Sequence, residues 1–165
     1  MSQKQIRNVP ASIRSKLLQL SKQRGEDFNY LLIRYGSERL LYRLSQSPYQ
    51  RQFILKGATL FTVWNGEPHR ATKDLDLLSF GANDVPSLME IFKEICCQQY
   101  EQDGISFQEG TVTAISASIL ISTFLIIRTA PCDRTLPLDS ILYAFAEDRG
   151  NIRTLRSPEN LLIPA

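Results

Sequence analysis

The sequence predicts one domain of the α+β class, and three observations predict it. Apolar residues recur at helical spacing in two segments near the N-terminus and again after residue 84. Short apolar runs at 53–55 and 74–78, bounded by turn formers, read as strands between them. At 165 residues, 43% hydrophobic and 22% charged, the chain suffices for one domain with a real core and hardly for two.

The elements follow in order. Pro10 and Ser12 open a first helix with Ile13, Leu17 and Leu20 on one face, and Gly25 ends it. A second helix starts near Asp27. Phe28, Leu31, Leu32 and Tyr35 mark one face, and Leu40, Leu41 and Leu44 continue it. Gly36 weakens this helix in the middle, and residues 45–48 end it. Arg34, Arg39 and Arg43 lie on its other faces and read as a solvated surface. A strand at 53–55 leads into "KGATLFTVW", a helix beginning at Gly57, and "NGEPH" is a loop. The strand at 74–78 is bounded by Gly81 and Asn83. After "NDVP", Leu88, Ile91, Phe92, Ile95 and Cys96 give the clearest helical pattern in the chain. "QDG" turns the chain into "ISF" and then "VTAI", read as a pair of strands. Beyond Ile115 the sequence is apolar with little alternation, then rich in scattered prolines with no clear period.

Composition narrows the functional classes. A net charge of +2 does not demand a nucleic acid partner. The cysteines, Cys96, Cys97 and Cys132, are odd in number and show neither a disulfide framework nor metal spacing, which fits a reducing compartment. The N-terminal "MSQKQIRNVP" has no apolar signal core. The apolar stretch 119–127, interrupted by Ser122 and Thr123, falls far short of the ~20 residues a membrane helix needs. The expectation is a soluble, cytoplasmic protein.

The segment "LKGATLFTVWNGEPHRATKDLDLLSFG" carries the chemistry. Alternation along a strand puts Asp74 and Asp76 on one face, and Leu75 and Leu77 on the other. Two carboxylates side by side repel, and are comfortable only beside a cation or with one pKa raised. Mg²⁺ suits them, because it takes oxygen ligands and bridges to substrate phosphates. Alone, such a pair reads better as two solvated acids at a strand end. Upstream, Lys56 and Gly57 lead from a strand into a helix N-terminus, an arrangement that binds anions. Arg70 and Lys73 add cationic partners just before the acids. A phosphate turn followed by a paired-acid strand is a nucleotide-transfer layout.

From about Asn29 to Ile115, the order "ERLLYRL", "LKGA", then "RATKDLDLL" resembles the AbiEii/AbiGii family of nucleotidyltransferase toxins, within the DNA polymerase beta-like nucleotidyltransferase superfamily. The resemblance implies a small nucleotidyltransferase-type mixed sheet flanked by helices. It implies Mg²⁺-dependent transfer of a nucleoside monophosphate from an NTP to an RNA (tRNA-like) or protein acceptor, in an abortive-infection or toxin–antitoxin system with a cognate antitoxin. By position, Asp74 and Asp76 are the metal-binding and catalytic pair. Gly57 and Ala58 form the nucleotide-binding turn preceded by Lys56. Arg70 is the family's arginine ahead of the acids. Ala58 stands where the wider superfamily often has serine, which removes one hydroxyl from the phosphate site.

The last third departs from the family. A strand ending in a third catalytic acid and a lysine-bearing helix are expected there, and no lysine follows Lys93. Asp139 is the best candidate for the third carboxylate, a general base, with Asp133 second; each reads more readily as an ordinary loop acid. The expected division is an N-terminal helical segment at 1–50, a nucleotidyltransferase core at 51–118, and an incomplete or divergent segment at 119–165. The change after Ile115 is read as truncation or frameshift, against a diverged tail that still completes the sheet. The alternative function is a catalytically inactive remnant that binds nucleotide or antitoxin without turnover. The oligomeric state is not legible.

Other features have ordinary readings. His69, the single histidine, is a surface loop residue. Trp64 reads as core or rim packing in preference to a base-stacking platform. Cys96 is core, and Cys97 is partly exposed. Arg14, Lys16, Lys22 and Arg24 make the first helix basic; a solvated face is the default, and an RNA-docking face is the sharper reading.

Overall fold

Side-chain caps start each of the long helices. In the computed structural model, which describes residues 8–65, 74–80, 84–119, 122–129 and 141–147, the first is α1, Val9–Arg24. Asn8 Oδ1 accepts from the Ala11 N–H at 3.0 Å, and Gly25, at φ 66°, ends the helix with its N–H donating to the Ser21 carbonyl. Asp27 caps α2, Phe28–Gln46, through the Tyr30 N–H at 2.8 Å. Asp84 caps α4, Val85–Cys97, through the Ser87 N–H at 2.9 Å, which holds the Asp84 carboxyl below its usual pKa. Between α2 and α4 lie β1 (Phe53–Lys56), α3 (Gly57–Asn65) and β2 (Asp74–Ser79). The strands β3 (Thr113–Ile119), β4 (Ser122–Thr129) and β5 (Ile141–Glu147) follow.

These strands form one mixed sheet in the order β1-β2-β5-β4-β3. β2 and β5 are parallel, and the other neighbours are antiparallel. The class is α+β, as expected. One phase of β2 faces the core: Leu75 and Leu77 are buried with Phe53 of β1. Against them pack Ile13 and Leu17 of α1, Leu32, Tyr35, Leu40 and Leu44 of α2, and Leu88, Phe92 and Ile95 of α4. The rings of Phe53 and Phe92 meet edge to face at 5.7 Å, joining β1 to α4.

The arginines of α2 correct the expectation of a solvated surface. Arg39 and Arg43 are buried, and the Arg34 side chain, paired with Glu38 at 3.1 Å, is 9% exposed. α2 is covered on nearly every side, and even Gly36 is buried within it. Arg43 is fully enclosed. Its guanidinium donates to the carbonyls of Gln98 (2.9 Å), Arg39 (3.1 Å) and Ile105 (2.8 Å), and to both carboxylate oxygens of Asp103 (2.7 and 3.3 Å). It also lies over the rings of Phe107 and Tyr100, at 4.9 and 5.3 Å. The same node explains why "ISF" is not a strand. The Ile105 carbonyl is taken by Arg43 and its N–H by the Asp103 carboxylate at 3.0 Å, so its backbone is not free for a ladder. Only an isolated bridge at Phe107 remains, between short 3₁₀ turns at Glu101–Asp103 and Glu109–Thr111.

Tyr35 closes the node by donating its hydroxyl to the Asp103 carbonyl at 2.8 Å. Burial, reinforced by Asp103 and Glu38 and opposed by Arg39 and Arg43, pushes its pKa up to about 12. A phenol raised above its ordinary 10.0 in the folded state favours folding below pH 10, and that contribution is lost as the pH rises toward 12. Wild-type stability, followed by urea denaturation, is therefore expected to fall between these values. Tyr35→Phe should be less stable at neutral pH and should lack that part of the alkaline decline. An identical alkaline decline in both proteins would assign it to other groups.

Beyond Ile115, where the sequence pattern assigns no elements, the structure has strands. Although the sequence there lacks alternation, 122–129 and 141–147 are strands, and β5 sits between β2 and β4. A short continuous apolar run fits a strand with neighbours on both edges, so periodicity fails as a signal there. Cys96 is buried as expected. Cys97 is exposed, and its thiol, donating to Glu109 at 3.0 Å, is held above its ordinary pKa by that carboxylate. Among the described residues, no helix is long and apolar enough to cross a membrane.

Candidate active site

The site is built where β1 passes directly into α3. β1 ends at Lys56, α3 begins at Gly57, and no loop residue separates them. The chain makes this change of direction at Gly57 with φ 67°, a conformation that costs other residues about 1–2 kcal/mol. A second constraint is steric. A Cβ at Gly57 would overlap the Asp76 carboxylate, lying 2.8 Å from Cγ and on top of Oδ2. Glycine is thus required both by the turn and by the closeness of β2.

β2 delivers Asp76 to this turn. Lys56 and Asp76 are directly opposed across the antiparallel pair, as are Leu55 and Leu77. Leu75 and Leu77 anchor the strand in the core, while Asp76 is half-buried and Lys56 exposed. The Asp76 carboxylate therefore sits at the N-terminal end of α3, where the partial positive charge of the helix favours an anion. Asp74 begins β2 two positions earlier, in the same alternation phase, level with Leu142 of β5. Lys56, Gly57, Ala58 and Asp76 thus lie at one strand–helix junction, and Asp74 is two positions earlier on β2. Arg70, Lys73 and His69, with Asp133 and Asp139, lie outside the described residues.

The last three strands add little acidity. Glu147 is the one carboxylate on the described β3, β4 and β5, and it is level with Ser79, at the opposite end of β2 from Asp74. Among the described residues, no three or more histidine, cysteine or acidic residues cluster as a metal site. The chemistry at the junction is that of one carboxylate, Asp76, at a helix N-terminus, a hard oxygen donor.

Trp64 on α3 is not core packing. It is 61% exposed and Phe61 is 54% exposed, with their rings edge to face at 5.9 Å. The available signal was the spacing: positions 61 and 64 share one face of a helix that carries no charged residue.

The Gly57 junction yields a direct test. Gly57→Ala is expected to destabilise the fold by more than the 1–2 kcal/mol of the backbone alone. Gly25→Ala is the control, because Gly25 has a similar φ of 66° with nothing within 4 Å of its added Cβ. Equal losses of stability in urea denaturation would mean that Asp76 relaxes away from the added methyl at no cost.

A mixed sheet whose acid-bearing strand lies against a helix that starts at glycine defines an α+β protein. The model of the nucleotidyl transferase AbiEii toxin family, of type IV toxin–antitoxin systems, matches residues 39–128. That is more than half of the 165 residues, and the chain belongs to this family. The match includes Lys56, Gly57, Asp74 and Asp76 and continues through most of β4, beyond the boundary near Ile115 expected from the sequence. No curated protein matches the chain.

Proposed function

We propose that this protein transfers a nucleoside monophosphate from an NTP to an acceptor hydroxyl on an RNA end, tRNA-like, or on a protein. The observation that carries the reading is Gly57, whose positive φ and missing side chain let the Asp76 carboxylate lie against the start of α3. A carboxylate held there suits a divalent cation that bridges to a phosphate.

In this reading the Gly57–Ala58 backbone cradles the phosphates, and Lys56, Arg70 and Lys73 offset their charge. Asp74 and Asp76 would hold Mg²⁺, which supplies charge stabilisation to the phosphates when bound. Asp139 takes the proton from the attacking hydroxyl as its oxygen bonds to the α-phosphorus and pyrophosphate departs. A cognate antitoxin restrains the activity in the cytoplasm. The divisions at 1–50, 51–118 and 119–165 belong to the same proposal. Incubation of the purified protein with α-labelled NTPs, Mg²⁺ and total RNA or protein tests it. Label transfer is the expected outcome, and NTP binding without transfer to any acceptor rejects it.

A second reading, nucleotide or antitoxin binding without turnover, is favoured by the lack of a carboxylate beside Asp74 and Asp76 on the described strands β3–β5. Growth on induced expression separates the two: arrest that depends on Asp76 supports the enzyme, and unaffected growth supports the inactive binder.

A further inference from the structure

We infer that Phe61 and Trp64 form a stacking platform for the base of the bound NTP, an inference that rests on the nucleotidyltransferase reading above. Single exposed aromatics are ordinary on protein surfaces. Here two adjacent ones, 54% and 61% exposed, lie on one helix that has no charged residue between Gly57 and Asn65. The helix packs against β1 and β2, and the two rings remain outside that contact.

Their position relative to the junction selects the occupant. Phe61 and Trp64 are spaced i and i+3 and share one face of α3, about one and two turns along the helix from the glycine turn. At 1.5 Å per residue, Phe61 lies roughly 6 Å and Trp64 roughly 10 Å along the axis from Gly57. This is the scale that separates the phosphates of a nucleotide from its base. The polarity runs in the same order. The exposed Lys56 and the helix N-terminus stand at one end, and neutral rings at the other. An NTP presents anionic phosphates at one end and an aromatic base at the other, and bases stack on exposed aromatic side chains. The start of α3, with the exposed Lys56 and an Asp76 carboxylate suited to a divalent cation, matches the phosphates, and the neutral rings further along match the base.

Trp64 is the single tryptophan of the chain, so its fluorescence reports on the platform directly. The full chain is titrated with non-hydrolysable NTP analogues and, separately, with inorganic tripolyphosphate, both with Mg²⁺. Fluorescence and calorimetric affinity are recorded for each. The expected result is that both bind but only the nucleotide changes Trp64 emission. Trp64→Ala and Phe61→Ala should weaken nucleotide binding by about fivefold or more and leave tripolyphosphate binding unchanged. Trp64→Phe should retain most of the nucleotide affinity. Unchanged nucleotide affinity in both alanine variants overturns the platform while the phosphate site stands. Equal weakening of both ligands overturns it too, by marking a structural role. Binding of neither ligand overturns the platform and the nucleotidyltransferase reading together. Quenching by a single-stranded oligoribonucleotide but not by the NTP analogue reassigns the platform to the acceptor.

Discussion

Asp76→Asn is expected to remove nucleotidyl transfer, with a loss on the order of a thousandfold, the scale of deleting a principal electrostatic group at a reacting centre. Asparagine keeps the shape of the side chain that fits against Gly57, so the strand–helix junction should survive. What is lost is the negative charge at the start of α3 that, in the proposed function, would hold a divalent cation. Asp74→Asn is expected to behave similarly, because Asp74 lies two residues earlier on the same strand. The measurement is label transfer from an NTP, with circular dichroism to confirm the fold. Wild-type transfer in the folded Asp76→Asn variant would remove Asp76 from the catalytic assignment and leave it as a helix-terminal anion.

The largest stability effect is expected at a residue outside the site. Arg43→Met leaves the buried Asp103 carboxylate, 3% exposed, without its cation. Breaking a buried pair from one side costs about 3–5 kcal/mol, a large fraction of the roughly 5–15 kcal/mol by which a domain is stable. The loss is compounded by the carbonyls of Gln98 and Ile105, which also lose a donor. Arg43→Met combined with Asp103→Leu should recover part of the deficit, because the unpaired charge is then gone. Urea denaturation measures both variants. A loss below about 1 kcal/mol for Arg43→Met would show that water reaches Asp103 and replaces the pair. The expected result ties α2 to the segment after α4, and so supports the core on which β2 is mounted.

Much of the site was legible because it is local. Lys56, Gly57, Asp74 and Asp76 fall within 21 consecutive positions. Strand alternation alone sends Leu75 and Leu77 inward, and their burial agrees. The positive φ at Gly57 follows the same logic, since a strand running straight into a helix needs a residue free of Cβ strain. The contact between Gly57 and Asp76 was not legible. It depends on the register that sets Lys56 opposite Asp76, and register is a property of two strands.

The arginines of α2 show the same division. A helical wheel assigns a charged residue to water unless a partner is known. The partner of Arg43 is 60 positions away, in a turn that no periodicity marks. Trp64 was misread in the opposite sense. An apolar helix predicts burial, but α3 covers β1 and β2 with one side and leaves its two aromatic rings outside. β5 carried no alternation to read, and its place between β2 and β4 comes from long-range pairing.

By itself, the sequence determined the order of the first helices and strands, the phase of β2, and the glycine turn that meets it. Each depends on residues close along the chain, whose spacing is set by backbone geometry. The tertiary structure decided which charges are buried, which aromatics face solvent, and which strand lies beside Asp74. Those outcomes depend on what arrives from distant parts of the chain to cover each surface, and the cost of burying a charge is met only when its partner is brought there.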